Sequence, residues 1–212
     1  MLDKCSDLAV TRKDLLRGNG WAKKERPKPR KGLHAKGKSI EERPEAANER
    51  SEPGHFEGDL VVGKQGTKPA LLTLTDRQTR EEIIVKLPNK EQKSVLAAID
   101  QLERRDTPPF QLVKTVTFDN GSEFLDFQAL ERSVSGEKRF DAFYAHPYSS
   151  WERGSNENAN GLIRRFFPKG ADFSKVSLRR INAAAAWINN YPRRKLGGLS
   201  ANSFAIRCRL DN

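Results

Sequence analysis

The chain has 212 residues, enough for one ordinary domain with extensions or for two small domains, and 36% of them are hydrophobic. No stretch approaches the roughly 18 apolar residues of a membrane span, and the start, MLDKCSDLAV, lacks the apolar centre of a signal peptide. The net charge of +11 is unevenly spread, with +8 in residues 1–40, −6 in residues 41–160 and +9 in residues 161–212. Basic ends suit a polyanionic partner, and an acidic middle suits divalent cations held against its phosphates.

The two cysteines, Cys5 and Cys208, lie at opposite ends of the chain without the spacing of a metal site. The three histidines are scattered, so a structural zinc ion is not expected. Unpaired thiols and the lack of an export signal predict a cytoplasmic protein with no membrane partner.

The first predicted elements follow a basic segment. Residues 18–50 are rich in Lys, Arg, Pro and Gly and show no apolar periodicity, so residues 1–50 are interpreted as a basic, largely extended N-terminal arm. Strands are predicted over residues 55–62, 70–75 and 82–87, the first two joined as a hairpin. A helix with Asn89 as its N-cap follows and ends before Pro108.

A fourth strand is predicted over residues 113–118, stopped by the turn Asp119-Asn120-Gly121. A short helix over residues 124–130 and a fifth strand over residues 141–145 come next. Two helices complete the pattern, one from Trp151 or Ser155 to Phe167 and one over residues 178–191. This order predicts an α/β fold over residues 51–200, a mixed sheet flanked by helices, with residues 201–212 as a C-terminal tail.

Three acidic residues are notable for their positions. Asp59 lies inside an apolar strand, Asp119 at the end of another strand, and Glu157 on the polar face of a helix. A carboxylate among apolar residues needs compensation, which a hard divalent cation such as Mg²⁺ provides, and two such ions could support phosphoryl transfer. Glu57 shares the strand face of Asp59 and is an equal candidate on spacing alone. Asp119 is also explained by its turn sequence.

Three sequence blocks carry a family resemblance: residues 55–59 (HFEGD), 118–124 (FDNGSEF) and 151–158 (WERGSNEN). With the flanking segments 39–44 (SIEERP), 167–170 (FPKG) and 189–193 (NNYPR), they resemble the signature blocks of bacterial insertion-sequence transposases of the IS-thirty type. The resemblance extends from about Ser39 to Leu199, which is most of the chain.

The resemblance implies a ribonuclease-H-like integrase core with a mixed five-stranded sheet. It implies that Asp59, Asp119 and Glu157 form the catalytic, metal-binding triad, with 59 and 37 residues between successive members. Asp59 is favoured over Glu57 as a ligand, which leaves Glu57 to orient a ligand or a bound water. The expected cofactor is Mg²⁺ or Mn²⁺, as two ions. The expected partners are double-stranded DNA, at element ends and target, and further copies of the chain, in a bacterial, nucleoid-associated setting.

The implied reaction has two stages. Water cuts one DNA strand and frees a 3′ hydroxyl, and that hydroxyl then attacks a second phosphodiester. Both steps are in-line displacements at phosphorus, which need positioning and charge neutralisation more than acid–base groups. Candidate DNA contacts lie on and after the last motif helix, and they are Arg153, Asn156, Asn160, Arg164, Arg165 and Lys169.

The arginines and the lysine would bind phosphates, and the asparagines could also reach sugars or base edges. Asn156 and Asn160 are equally explained as residues of a helix start. Trp151 is better explained as a core or hinge aromatic than as a base-stacking platform.

Members of the resembled family also have an N-terminal helix-turn-helix region that recognises element ends. The sequence before Ser39 offers one short helix, over residues 7–17, and the basic arm, which is too little for such a region. Two alternative functions therefore stay open. One is a metal-dependent DNA nuclease of the same fold, and the other is a truncated, non-catalytic remnant that binds DNA or inhibits a full-length transposase.

Overall fold

The computed structural model describes residues 37–147, 149, 152 and 154–210. Within these residues the strands form one six-stranded sheet in the order β1-β6-β5-β2-β3-β4. Its strands are β1 Lys38–Ser39, β2 His55–Val62, β3 Ala70–Asp76, β4 Glu82–Leu87, β5 Thr115–Phe118 and β6 Asp141–Tyr144. The neighbours β2, β3 and β4 are antiparallel, whereas β5, β6 and β1 run parallel to β2. The sheet is therefore mixed, with β2 at the junction of its two halves.

Helices cover both faces of this sheet. They are α1 Glu45–Glu49, α2 Gln92–Arg105, α3 Phe127–Glu131, α4 Gly154–Phe166, α5 Leu178–Asn190 and α6 Ala201–Leu210. In one layer, α2 packs against β4 and α3 packs against β6. In the other layer, α4 packs against β2 and β3, α5 packs against β4, and α6 packs against α5. None of the helices described is both long enough and apolar enough to cross a membrane.

The alternating direction of the side chains along β2 explains why helices pack on both faces of the sheet. Phe56 and Leu60 point into a hydrophobic cluster under α2, whereas Val61 points into a second cluster that includes Leu162 and Ile163 of α4. Successive side chains of a strand face opposite sides of a sheet, so β2 supplies both cores. The odd-numbered residues of β2, including Glu57 and Asp59, consequently belong to the face that α4 covers.

The predicted α/β fold, with a mixed sheet between helices, is confirmed. The bounds predicted for β2 and β4 agree with the structure, and the other predicted strands agree to within two residues. The predicted count of five strands is wrong, because Lys38–Ser39 adds a sixth strand, parallel to β6. A strand of two residues is too short for alternation to reveal it. Residues 201–210, interpreted from sequence as a tail, form α6.

Two helix starts also differ from the predictions. The N-cap of α2 is Glu91, not Asn89, whose Oδ1 atom instead accepts a hydrogen bond from the Glu91 backbone at 3.0 Å and organises the preceding turn. The single helix predicted over residues 124–130 is a 3₁₀ turn at Ser122–Phe124 followed by α3. Asp126 separates them because its carboxylate accepts a hydrogen bond from the backbone of Ala129 and caps α3.

Gly58 is a position where β2 tolerates no side chain. A Cβ atom at Gly58 would lie 2.6 Å from Cδ1 of Phe118, which is fully buried and stacked on Phe124. We expect Gly58→Ala to lower the free energy of unfolding by about 1–3 kcal/mol, as overpacking of a rigid core does. Urea unfolding measures this change.

The matched control is Gly161→Ala. A Cβ atom at Gly161, on α4, would meet nothing within 4 Å. Alanine in a helix interior stabilises by about 0.5–1 kcal/mol relative to glycine, so this variant should gain stability. A Gly58→Ala protein as stable as the wild type would contradict the packing described here.

Candidate active site

Asp59 and Asp119 are brought together by strand register. In the parallel pair β2–β5, Glu57 lies opposite Thr117. Continued by two residues, the same register brings Asp119, just beyond the end of β5, next to Asp59, and neighbouring strands are about 4.8 Å apart. Each carboxylate is held locally, because Asp59 Oδ1 accepts from the Leu60 backbone at 2.9 Å and Asp119 Oδ1 from the Gly121 backbone at 3.0 Å.

The helix α4 lies against Asp59. Nδ2 of Asn160 donates to Oδ2 of Asp59 at 2.6 Å, and Arg164 donates to the carbonyl of Val62 at 2.9 Å. Burial lowers the pKa of Arg164, and the nearby Asp59 carboxylate counteracts this effect. Asn160 and Arg164 are one turn apart, so a single stripe of α4 follows the edge of β2 at Asp59.

Glu157 is exposed on the first turn of α4. At about 100° per residue it is turned about 60° around the helix axis from Asn160, toward solvent. The three predicted triad members are therefore on the same side of the sheet: Asp59 within β2, Asp119 just beyond the end of β5, and Glu157 on the adjacent helix.

The described residues contain no group of three His, Cys, Asp or Glu side chains arranged to hold a metal ion. Oxygen ligands are the correct chemistry for Mg²⁺, but Asp59 is bonded to Asn160 and Glu157 is exposed to solvent. The arrangement thus fits a divalent cation only in part. The triad and its metal ligation stay a prediction.

Glu57, the rival of Asp59, has a different environment. Its side chain is 0% exposed and forms an ion pair with Arg77, while its Oε2 atom accepts the backbone N–H of Asn156 at 2.9 Å. Arg77 in turn donates to the carbonyl of Ala47 at 2.7 Å. Glu57 therefore ties the first turn of α4 to the sheet, one residue before Glu157.

A second buried carboxyl group lies under the same turn of α4. Oγ1 of Thr75 is 2.6 Å from Oε2 of Glu82 and 2.8 Å from Oδ1 of Asn156. A hydroxyl has one proton to donate, so a protonated Glu82 that donates to Thr75, which then donates to Asn156, satisfies both contacts. Burial raises the pKa of Glu82 to about 8, although the nearby Arg193 opposes the shift. Sequence reasoning missed Glu82, because the first residue of a strand normally faces water.

The predicted DNA-contact residues fall into three groups. Asn156, Asn160 and Arg164 contact the protein itself, as described above. Arg165 and Lys169 are exposed to solvent. Arg153, like Trp151, lies outside the described residues. Their binding to DNA stays a prediction.

The buried pair Glu57–Arg77 generates the first prediction for this site. Glu57→Gln leaves the buried Arg77 guanidinium without its counter-charge, which typically costs about 3–5 kcal/mol of unfolding free energy. Chemical denaturation measures the loss, and Glu49→Gln, at an exposed position of α1, is the control that should change little. Equal stability of the two variants would contradict the assigned pairing.

Glu82 generates a prediction about pH. Because burial raises its pKa from 4.5 to about 8, the folded protein keeps a proton that the unfolded chain releases. The stability that this proton contributes is complete below pH 4.5 and is lost as the pH rises toward 8. Glu82→Gln resembles the neutral form, so its stability relative to the wild type should increase over this range, by at least about 1.4 kcal/mol, the equivalent of one pKa unit. Denaturation at several pH values measures it, and a pH-independent difference would contradict the assignment.

Sequence comparison finds relatives among named transposases. The chain is 42% identical over 177 residues to a Streptococcus salivarius protein named "Probable transposase for insertion-like sequence element IS1161", covering 83% of this chain and 47% of that protein. It is 38% identical over 160 residues to "Transposase InsI for insertion sequence element IS30A" of Escherichia coli K12, covering 76% and 40%. The chain thus spans about half the length, or less, of the curated relatives it matches. No protein-family model matches it.

Structural comparison gives the fold. The catalytic core domain of BIV integrase superposes with a TM-score of 0.52 at 16% sequence identity, covering 74% of this chain and 97% of that domain. A chain of the simian T-cell lymphotropic virus intasome in complex with PP2A regulatory subunit B56 gamma superposes with a TM-score of 0.57 at 13% identity, covering 72% and 54%. Such cores have the ribonuclease-H-like fold predicted from the motifs. Over three quarters or more of its length this chain is therefore similar to bacterial insertion-sequence transposases, those of IS30 among them, and it has the fold of an integrase catalytic core.

Proposed function

We propose that this chain is the catalytic core of a metal-dependent transposase that cleaves DNA and joins the freed 3′ end to a second strand. Asp59, Asp119 and Glu157 are its catalytic residues and would hold Mg²⁺ or Mn²⁺, as two ions. The observation that carries the proposal is the β2–β5 register, which ends at Glu57 opposite Thr117 and, continued by two residues, brings Asp59 and Asp119 next to each other. The names of its relatives support the same chemistry.

The protein's own groups have defined tasks in this proposal. Divalent cations, when bound, supply charge neutralisation for the attacking and leaving oxygens. The two aspartates are fixed by adjacent strands, so their spacing is set before substrate arrives. Glu157 is carried by α4, whose first turn is anchored by Glu57 and whose second turn is anchored by the Asn160–Asp59 hydrogen bond.

The substrate in this proposal is double-stranded DNA, bound by a homo-oligomer associated with the bacterial nucleoid. The net charge of +9 in residues 161–212 supports a polyanionic partner. Two of these charges, Arg164 and Arg165, lie on the same helix as Glu157.

A second candidate function has one observation in its favour. Among the described residues no three carboxylates gather as a metal site, and Asp59 is engaged by an amide. A DNA-binding remnant that inhibits a full-length transposase would need neither metal nor turnover. Catalysis by the purified chain separates the two candidates.

The test is a cleavage and strand-transfer assay on labelled DNA with Mn²⁺ or Mg²⁺. We expect activity in the wild type and none above background in Asp59→Asn, Asp119→Asn or Glu157→Gln, because each substitution removes one anionic ligand while preserving side-chain size. Glu49→Gln, an exposed carboxylate on α1, should retain full activity. Removal of the divalent cation with EDTA should abolish all activity.

The outcomes discriminate among the candidates. Products of hydrolysis without joined strands, from a substrate with a free 3′ hydroxyl, would indicate a nuclease. A folded wild type that binds DNA but neither cuts nor joins it would support the remnant. Loss of activity in Glu49→Gln as well would show that the assay reports general charge effects and not a triad.

A further inference from the structure

A basic cavity lies beside the candidate active site. Its volume is about 410 Å³, and it opens between the first turns of α4 and the segment that follows α5. None of its described lining residues is acidic, and six are basic: Arg50, Arg80, Arg165, Arg193, Arg194 and Lys195. A second, open cavity of about 360 Å³ shares Arg50, Arg80 and Lys195 with it. The two form one cationic trough.

The positive charges of this trough are incompletely balanced within the described protein. Burial and the neighbouring charges of Arg50, Arg193 and Arg77 lower the pKa of Arg80 to about 10. The nearest acidic groups are committed elsewhere, since Glu57 pairs with Arg77 and Glu82 is buried with a raised pKa. Cations that repel each other in a concave site attract an anion from solution.

The backbone supports a role for two of these arginines outside folding. Arg50 has φ 60° and ψ 39°, and Arg80 has φ 65°, both in the left-handed region that favours glycine. Arg50 occupies the C-cap of α1, where glycine is the usual residue. The backbone N–H of Arg50 donates to the carbonyl of Ala46, but within the described part of the chain its side chain has no hydrogen-bond or ion-pair partner. Residues held in unfavourable conformations cluster at functional sites.

The trough is adjacent to Glu157. Gly154, Asn158 and Arg165 line it from one stripe of α4, whereas Asn160 and Arg164 face the edge of β2 at Asp59. At about 100° per residue, Glu157 lies between these two stripes. Arg80 also bonds to the hydroxyl of Ser155 in the same turn, which fixes the trough relative to α4.

We propose that this trough binds the phosphate backbone of DNA next to the candidate carboxylates, with Arg50 and Lys195 as phosphate contacts. The identity of the anion rests on the proposed function. Arginine forks match phosphate oxygens in charge and geometry, and the N-terminal turn of α4 adds the positive end of a helix dipole. Sequence analysis did not find this site, because its charges come from four separate segments of the chain.

Arg50→Gly is the variant that tests the site, because glycine relieves the backbone while the charge is lost. We expect its melting temperature to equal or exceed that of the wild type, and its affinity for DNA to fall several-fold at low salt. In fluorescence anisotropy with a labelled duplex, the slope of log affinity against log salt should decrease by about 1, the value for one phosphate contact. Lys195→Ala should reduce the slope similarly.

The matched control is Arg132→Gly, the same substitution at the C-cap of α3, outside the trough and exposed. It should leave the salt slope unchanged. Wild-type slope and affinity in Arg50→Gly, or an equal decrease in Arg132→Gly, would overturn the proposal.

Binding is measured in EDTA, so its result is independent of the triad. A wild type that binds DNA, with Arg50→Gly unaffected, refutes the phosphate site and leaves the proposed catalysis intact. An inactive wild type whose DNA binding depends on Arg50 refutes catalysis and retains the phosphate site.

Discussion

The buried carboxylate of Glu57 is the constraint on which the site depends. It lies on the central strand β2 with no exposed surface, so its charge must be balanced inside the protein. Arg77, after β3, supplies the opposite charge, and the first turn of α4 supplies a backbone N–H. Arg77 also holds α1 through the carbonyl of Ala47. Three chain segments that are distant in sequence thus meet at one carboxylate.

This constraint determines where the neighbouring acidic residues lie. Glu57 and Asp59 share one face of β2, and Asn156 precedes Glu157 on α4. An anchor from Glu57 to the backbone of Asn156 therefore sets the distance between the strand that carries Asp59 and the helix turn that carries Glu157. The resemblance favoured Asp59 over Glu57 as a metal ligand, and the environment of Glu57 is consistent with that choice, because both of its oxygens are engaged by the protein.

Much of the fold could be predicted from the sequence, because strand and helix patterns are local. Alternation around His55–Val62 located β2 with its observed bounds, since one face packs under α2 and the other under α4. The three residues that the motifs singled out also lie on one side of the sheet. The sixth strand and α6 were not predicted, because β1 depends on pairing with β6 and α6 packs against α5. The N-cap at Glu91 was missed because Asn89, the better capping residue, organises the preceding turn instead.

The buried polar cluster of Thr75, Glu82 and Asn156 under α4 could not be predicted from the sequence for a related reason. Glu82 begins a strand, a position where a glutamate usually faces water, and only the packing of α4 and α5 over it removes the solvent. The left-handed conformations of Arg50 and Arg80 leave no trace in a sequence, since the residue that signals such a turn, glycine, is absent from both positions. The sequence motifs indicated the candidate carboxylates, whereas the basic trough could be recognised only in the folded structure.

The helix α4 separates charges of opposite sign. One stripe meets Asp59 on β2, and another lines a trough of arginines, with Glu157 between them. In the sequence the two signs of charge are far apart, with net negative charge in residues 41–160 and net positive charge in residues 161–212. Folding brings these separate segments together, because α4 packs over the strand that carries Glu57 and Asp59 and the segment after α5 lies beside α4. A site for phosphodiesters needs both signs at close range, the negative one to hold cations and the positive one to hold the backbone.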